Sequence, residues 1–177
     1  QQLSVQMEPV SVADALTEAV AINSGYGLGA QVTLTCDTPD IPDNVFIQAD
    51  RSRLQQIFSN LISNAVKYSP RNGEVRIGAR LDGGMVEFHV RDSGPGIPEA
   101  ARDWIFERFA KPVHEKGTQA SGTGLGLAIT RELALRQDAG IDFTSVTMQD
   151  DPQNTGTEFT VTFKETAPES VDDEAVA

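Results

Sequence analysis

Asn60, Asn64, Lys67 and Tyr68 stand a helical turn or less apart near the end of the stretch DRSRLQQIFSNLISNAVKYSP, residues 50–70. On a helix, residues three and four apart share a face, so two amides, a cation and an aromatic ring gather at its C-terminal half. Taken alone, such a group is also what a solvated helix face looks like. Two glycine-bearing stretches further on change that balance. Asp92-Ser93-Gly94-Pro95-Gly96-Ile97-Pro98 sets a hydrogen-bond acceptor just before two glycines that let backbone approach a ligand closely or take positive φ. Gly122-Thr123-Gly124-Leu125-Gly126-Leu127 enters a helical pattern, and a glycine-rich helix entry presents free N–H groups and a positive dipole end to phosphate. Its spacing is G-x-G-x-G, which is neither a dinucleotide fingerprint nor a P-loop.

The elements that position these residues follow from periodicity. Leu54, Ile57, Phe58, Leu61, Ile62, Ala65 and Val66 form one apolar stripe, Asp50 is the expected N-cap, and Pro70 ends the helix. Before it, residues 9–22 carry a helix signal capped by Ser11 and punctuated by Gly25, Gly27 and Gly29. Val32, Leu34 and Cys36 alternate as a strand, with Cys36 expected to be half-buried, and residues 45–49 form another. After it, residues 75–81 and 86–90 alternate around Asp82-Gly83-Gly84, a hairpin. A short helix is expected over residues 99–109, with Trp104, Ile105, Phe106 and Phe109 clustered, then a polar, mobile loop over 110–121. Leu127, Ile129, Leu133 and Leu135 mark the next helix, and residues 141–148 and 157–163 two final strands.

Composition narrows the class of ligand. With 177 residues, 39% of them hydrophobic, the chain can bury one real core. Its net charge of -12 argues against wrapping nucleic acid or lying on anionic lipid, so no nucleic-acid partner and no direct membrane contact are expected. An anionic ligand would need local cations, helix N-termini or a metal ion. There is no run of apolar residues long enough to span a membrane, and a single cysteine, Cys36, excludes an internal disulfide and a cysteine zinc cluster. A reducing, cytoplasmic setting is the expectation, with the intact parent protein open to membrane anchoring.

Four motifs in order now carry a resemblance. Asn60-Leu61-Ile62-Ser63-Asn64-Ala65-Val66-Lys67-Tyr68 resembles the N box of sensor histidine kinases, Asp92-Ser93-Gly94-Pro95-Gly96 the G1 box, Phe106-Glu107-Arg108-Phe109 the F box and Gly122 to Leu127 the G2 box. The resemblance implies the catalytic and ATP-binding domain of that family, with the Bergerat fold: a two-layer α/β sandwich, a mixed sheet packed on one face by about three helices, with a flexible ATP lid. The domain would occupy residues 9–164, after an end of a preceding element or linker at 1–8 and before an acidic, disordered tail at 165–177.

By resemblance, Asn64 binds Mg²⁺, while Asn60 and Lys67 contact metal water or phosphate. Tyr68 and Ile97 flank the nucleotide, Asp92 accepts from the adenine amino group, and Gly94 and Gly96 let backbone close on the base. Phe109 counts among the nucleotide-binding residues, Lys111 reaches toward the γ-phosphate, and Gly122, Thr123, Gly124, Leu125, Gly126 and Leu127 hold the phosphates. Hydrolysing relatives of this fold carry a glutamate where this chain has Asn60, and an amide cannot act as a general base. That implies phosphoryl transfer in place of hydrolysis. His89 reads as a strand-face histidine and His114 as a lid residue, so the acceptor histidine lies on a dimerisation and phosphoacceptor hairpin elsewhere, with a response regulator downstream. The alternatives are an anti-sigma-factor-type serine kinase and a degenerate, non-catalytic docking domain of the same fold. Gln137-Asp138-Ala139-Gly140 replaces the family's His-Gly-Gly turn.

Overall fold

The computed structural model describes residues 4–37, 41–110 and 124–167. The elements run β1 (Glu8–Ser11), α1 (Val12–Ala30), β2 (Thr33–Asp37), β3 (Phe46–Ala49), α2 (Arg51–Tyr68), β4 (Glu74–Asp82), β5 (Met85–Arg91), α3 (Glu99–Arg102), α4 (Gly126–Leu135), β6 (Gly140–Val146) and β7 (Gly156–Thr166). The strands make one sheet in the order β1-β3-β7-β5-β4-β2, with β6 also paired to β7. Among the described residues only β2 and β4 pair in parallel, so the sheet is mixed. Helices α1, α2 and α4 cover one face, with α2 packed against both others. The result is the expected two-layer α/β sandwich.

Helix α2 forms where its stripe requires. Asp50 Oδ1 accepts the Arg53 N–H at 3.1 Å, satisfying an orphan donor of the first turn, and Ser69 takes extended backbone ahead of Pro70. Leu54, Ile57, Phe58, Leu61 and Ile62 are fully buried against the sheet. Phe58 meets Phe88 of β5 edge-on at 5.2 Å, and Phe88 meets Phe163 of β7 at 6.0 Å. Each such side chain contributes roughly 1.5–3 kcal/mol by leaving water, and together they fix α2 over the centre of the sheet. At the β4–β5 turn, Asp82 pairs with Met85 and the two residues between, Gly83 and Gly84, both have positive φ, as a tight hairpin requires.

Several expectations need correction. Helix α1 runs through Gly25, Gly27 and Gly29 to Ala30 and stops at Gln31, which is left-handed at φ 56. Packing overrides the weak propensity of glycine: a Cβ on Gly27 would lie 2.6 Å from the Val32 carbonyl oxygen, so the glycine lets α1 rest on the start of β2. Cys36 is exposed, not half-buried, because β2 is an edge strand and its outer end is uncovered. Helix α3 ends at Arg102 and turns follow. Phe106 reaches the core beside Phe143 and Phe159, whereas Phe109 has φ 66 and is 69% exposed, so the expected aromatic cluster lacks it. On α4 the buried positions are Thr130, Leu133 and Ala134, while Ile129 and Leu135 face outward. Strand β7 extends through Glu165 and Thr166, which pair with Ile47 and Phe46 of β3, and so takes the first two residues of the expected tail. The tail from residue 168 onward and the loop holding Lys111, His114, Gly122 and Thr123 lie outside the described residues.

Candidate functional site

The exposed ends of α2 and α4 and the loop after β5 meet along one line. Asn64 of α2 faces the start of α4: a Cβ on Gly126 would stand 3.8 Å from Asn64 Nδ2. The Asn64 side chain is half-buried and makes no hydrogen bond among the described residues. Asn60, one turn earlier, is engaged. Its Nδ2 donates to Thr130 Oγ1 at 3.3 Å and to the Gly126 carbonyl at 3.5 Å, and Thr130 Oγ1 itself donates to that carbonyl at 2.9 Å. The start of α4 is thereby held against α2 with its first N–H groups free of intrahelical partners. Leu125 precedes the helix, and Leu127 packs on the core.

One turn further along α2, Lys67 is exposed with its Nζ 5.1 Å from the centre of the Tyr68 ring. Tyr68 is half-buried, which pushes its phenol above the ordinary range. The Gly94 backbone lies against the last turn of α2, and a Cβ there would fall 2.7 Å from the Tyr68 carbonyl oxygen. Gly96, at φ 78, sits as close to β6: its Cβ would lie 2.3 Å from the Val146 carbonyl. In this loop, then, the room that glycine leaves is taken up by the protein's own backbone. Ile97 is anchored by its N–H on Ser145 Oγ at 2.7 Å, and Arg102 Nε donates to its carbonyl. On the other side, the Phe109 N–H donates to the Gly124 carbonyl at 2.9 Å, with Gly124 at φ 67, so the residues flanking the undescribed loop are tied together.

Asp92 lies at the floor, 6% exposed. Its Oδ1 accepts the N–H of Gly94 at 2.8 Å and of Thr157 at 3.0 Å. Its Oδ2 has no hydrogen bond among the described residues. Burial raises the Asp92 carboxyl above the usual aspartate range, against the pull of those two N–H groups and of the Arg91 charge. A buried carboxylate with one oxygen pinned and the other open is a directional acceptor.

Sequence reasoning missed the support from β6 and β7. Thr157 is 4% exposed, its Oγ1 lies 2.9 Å from Ser145 Oγ, and a Cβ on Gly156 would fall 2.2 Å from the Asp92 carbonyl oxygen. The only local signal is Gly156 itself, which stands just before the strand expected from residue 157. The Gln137-Asp138-Ala139-Gly140 turn also closes: Asp138 is left-handed at φ 55, and buried Gln137 accepts the Asp50 N–H at 2.8 Å. No cluster of three or more His, Cys, Asp or Glu able to hold a metal is found among the described residues.

A buried directional acceptor, an amide-lined helix face and an open helix N-terminus, all on the helical side of a mixed sheet, describe a nucleotide-type site. The family model for the histidine kinase-, DNA gyrase B-, and HSP90-like ATPases matches residues 49–167, and the chain belongs to that family. Within it, this is the ATP-binding catalytic domain of the sensor histidine kinase type. It is 32% identical over 169 residues to the sensor-like histidine kinase SenX3 of Mycolicibacterium smegmatis, covering 95% of this chain and 42% of that protein. With the aerobic respiration control sensor protein ArcB of Escherichia coli it shares 41% identity over 139 residues, 76% of this chain and 17% of ArcB. The chain thus spans less than half the length of these relatives. Among solved structures, full-length ShkA in complex with AMPPNP superposes with a TM-score of 0.74 at 29% identity, over 94% of this chain and 33% of ShkA. No described helix is long and apolar enough to cross a membrane.

Proposed function

We propose that this domain, in the cytoplasm, binds ATP with Mg²⁺ and delivers the γ-phosphoryl group to a histidine on the dimerisation and phosphoacceptor hairpin of the full-length protein, for onward passage to a response regulator. The observation that carries the reading is Asp92. With Oδ1 filled by two backbone N–H groups, Oδ2 is left to accept from the adenine amino group, whereas guanine would set a carbonyl against it, acceptor facing acceptor. Tyr68 and Ile97 border the base, and Gly94 and Gly96 hold the loop that carries Asp92's partner N–H. Gly124, Leu125, Gly126 and Leu127 bring the N–H groups of the first turn of α4 to the phosphates. Lys67 adds charge at the same end, and the phosphate contacts expected of Lys111, Gly122 and Thr123 fall outside the described residues.

The amide of Asn64, without a hydrogen bond among the described residues, suits Mg²⁺, a hard cation that accepts few protein oxygens and keeps several waters. When bound, that ion neutralises and aligns the phosphate oxygens. Asn60 keeps the start of α4 in place and has no basic atom to activate water. A phosphoryl group held here is therefore preserved for an incoming imidazole. Calorimetric titration with AMPPNP and Mg²⁺, together with single-turnover transfer to a separately supplied phosphoacceptor hairpin, tests this. Asn64→Ala should lose Mg²⁺-dependent binding and transfer by at least about tenfold while melting normally. Unchanged affinity and transfer in that variant would sink the proposal.

A further inference from the structure

The face of the sheet turned away from the helices carries a second chemistry. Across β2, β4, β5 and β7 the register sets Thr35, Arg76, Arg91 and Glu158 in one row and Asp37, Gly78, His89 and Thr160 in the next. A cavity of about 410 Å³ opens over these rows, lined by Arg76, Arg80, Arg91, His89, Asp37 and Glu158 among others. That is within the size range of small-molecule sites.

His89 is only 7% exposed although it points to the side without helices. Two features bury it. Opposite it on β4 stands Gly78, where a Cβ would lie 2.7 Å from His89 Nε2, so the ring uses the space glycine leaves. Arg80 of β4 and Glu158 of β7 then form an ion pair that joins the strands on either side of β5. Beneath this, His89 Nδ1 is buried and has no hydrogen-bond partner among the described residues. Buried polar atoms are nearly always paired, so the ring that carries this orphan, on a residue that lines the cavity, has hydrogen-bonding capacity the described residues do not use.

The arginines are also left unbalanced. Arg76 and Arg91 are directly opposite across the β4–β5 ladder, and like charges so placed repel. Glu158, the neighbour of Arg91 in the row, is drawn to Arg80. Arg76 pairs with Glu74 at the surface, where both side chains remain largely in water and the pair holds weakly. Arg91 makes no ion pair among the described residues, only a 3.5 Å bond to the Asn154 carbonyl. Burial, with the Arg80 charge behind it, holds the His89 imidazole below its ordinary range, so the positive charge of the cavity is that of its guanidiniums. Asp37 and Glu158 also line the cavity, so its three guanidiniums exceed its carboxylates by one, in a chain of net charge -12.

We propose that this cavity binds a phosphate group, bridged between Arg76 and Arg91 with His89 as a third donor. Guanidinium forks match phosphate oxygens in pairs, and a tetrahedral dianion has enough oxygens for both forks and an imidazole N–H, whereas one planar carboxylate does not. The site is on the other face of the sheet from the nucleotide and does not depend on the function proposed above.

The test is an imidazole-detected NMR titration of the full chain, with Mg²⁺ and AMPPNP saturating the nucleotide site and ionic strength held constant. Inorganic phosphate, glycerol 3-phosphate and succinate are added in turn. The His89 ring signals should move saturably with at least one of the two phosphates, and the affinity should fall about tenfold or more in Arg91→Gln and in Arg76→Gln. Arg53→Gln, a cation on α2, should titrate as the parent does. Binding of inorganic phosphate alone identifies a free ion, and binding of glycerol 3-phosphate an esterified one; either sustains the site. Absence of saturable movement with both phosphates, equal affinity in the arginine variants, or tighter binding of succinate overturns it. Because Arg76 is mostly solvent-exposed, its variant keeps the test valid even where Arg91→Gln folds poorly.

Discussion

Asp92 and Thr157 hold one another through two backbone-mediated hydrogen bonds: the Thr157 N–H donates to Asp92 Oδ1 at 3.0 Å, and the Asp92 N–H donates to the Thr157 carbonyl at 2.8 Å. The carboxylate is thus oriented by a neighbouring strand, not by its own loop alone. Which of its two oxygens faces the cleft is decided by that strand.

Asp92→Asn follows from this geometry. The amide oxygen can keep both backbone N–H groups, which puts the NH₂ where the adenine amino group would approach, donor against donor. ATP affinity should fall by about 2–3 kcal/mol, read by calorimetry, while the fold survives. The pH dependence of stability separates this from a structural role. Because burial raises the Asp92 carboxyl in the folded state, its contribution to stability is complete below the usual aspartate pKa and is lost as pH rises through the raised value. The uncharged variant should not share that loss, so its melting temperature should match or exceed that of the parent at neutral pH. A fall in melting temperature parallel to the loss of ATP binding would make Asp92 a structural acid.

The glycines of α1 should respond in opposite directions. A Cβ on Gly25 or Gly29 meets nothing within 4 Å, so Gly25→Ala and Gly29→Ala should each stabilise by about 0.5–1 kcal/mol through better helix propensity. Gly27→Ala would drive its methyl to 2.6 Å from the Val32 carbonyl and should destabilise by about 1–3 kcal/mol as β2 shifts. Urea unfolding midpoints measure both. A stabilising Gly27→Ala would show that the contact between α1 and β2 is loose.

Gln137→Ala removes the acceptor of the buried Asp50 N–H at the head of α2 and the donor to the Leu133 carbonyl. Leaving a buried backbone N–H unpaired should cost about 1–3 kcal/mol. Denaturant unfolding reads that loss, and nucleotide affinity, measured in parallel, should stay within about twofold of the parent because the residue is remote from the line joining Asn64 to Asp92.

Gly96→Ala combines a left-handed φ of 78 with a Cβ only 2.3 Å from the Val146 carbonyl. It should destabilise by about 2 kcal/mol or more and weaken nucleotide binding together with stability, since the loop that positions Gly94 and Ile97 would move. Loss of binding without loss of stability would instead assign Gly96 to close approach of the ligand.

The chain determined locally whatever depends on neighbours within a few residues. The Asp50 cap, the apolar stripe of α2, the shared face of Asn60 and Asn64 and the Gly83-Gly84 hairpin are all governed by helix or strand period and by backbone φ, which the residue types dictate. Tertiary structure decided what depends on contacts across the sheet. Packing on β2 carried α1 through three glycines that read as punctuation, and α4 turned Thr130 inward to meet Asn60, leaving Ile129 outside. The β5–β7 register brought Thr157 to Asp92, and Gly78 beneath His89 turned an ordinary strand-face histidine into a buried one. No local pattern encodes these pairings, because the entropy of closing such long loops is repaid only when the sheet and its helices assemble together.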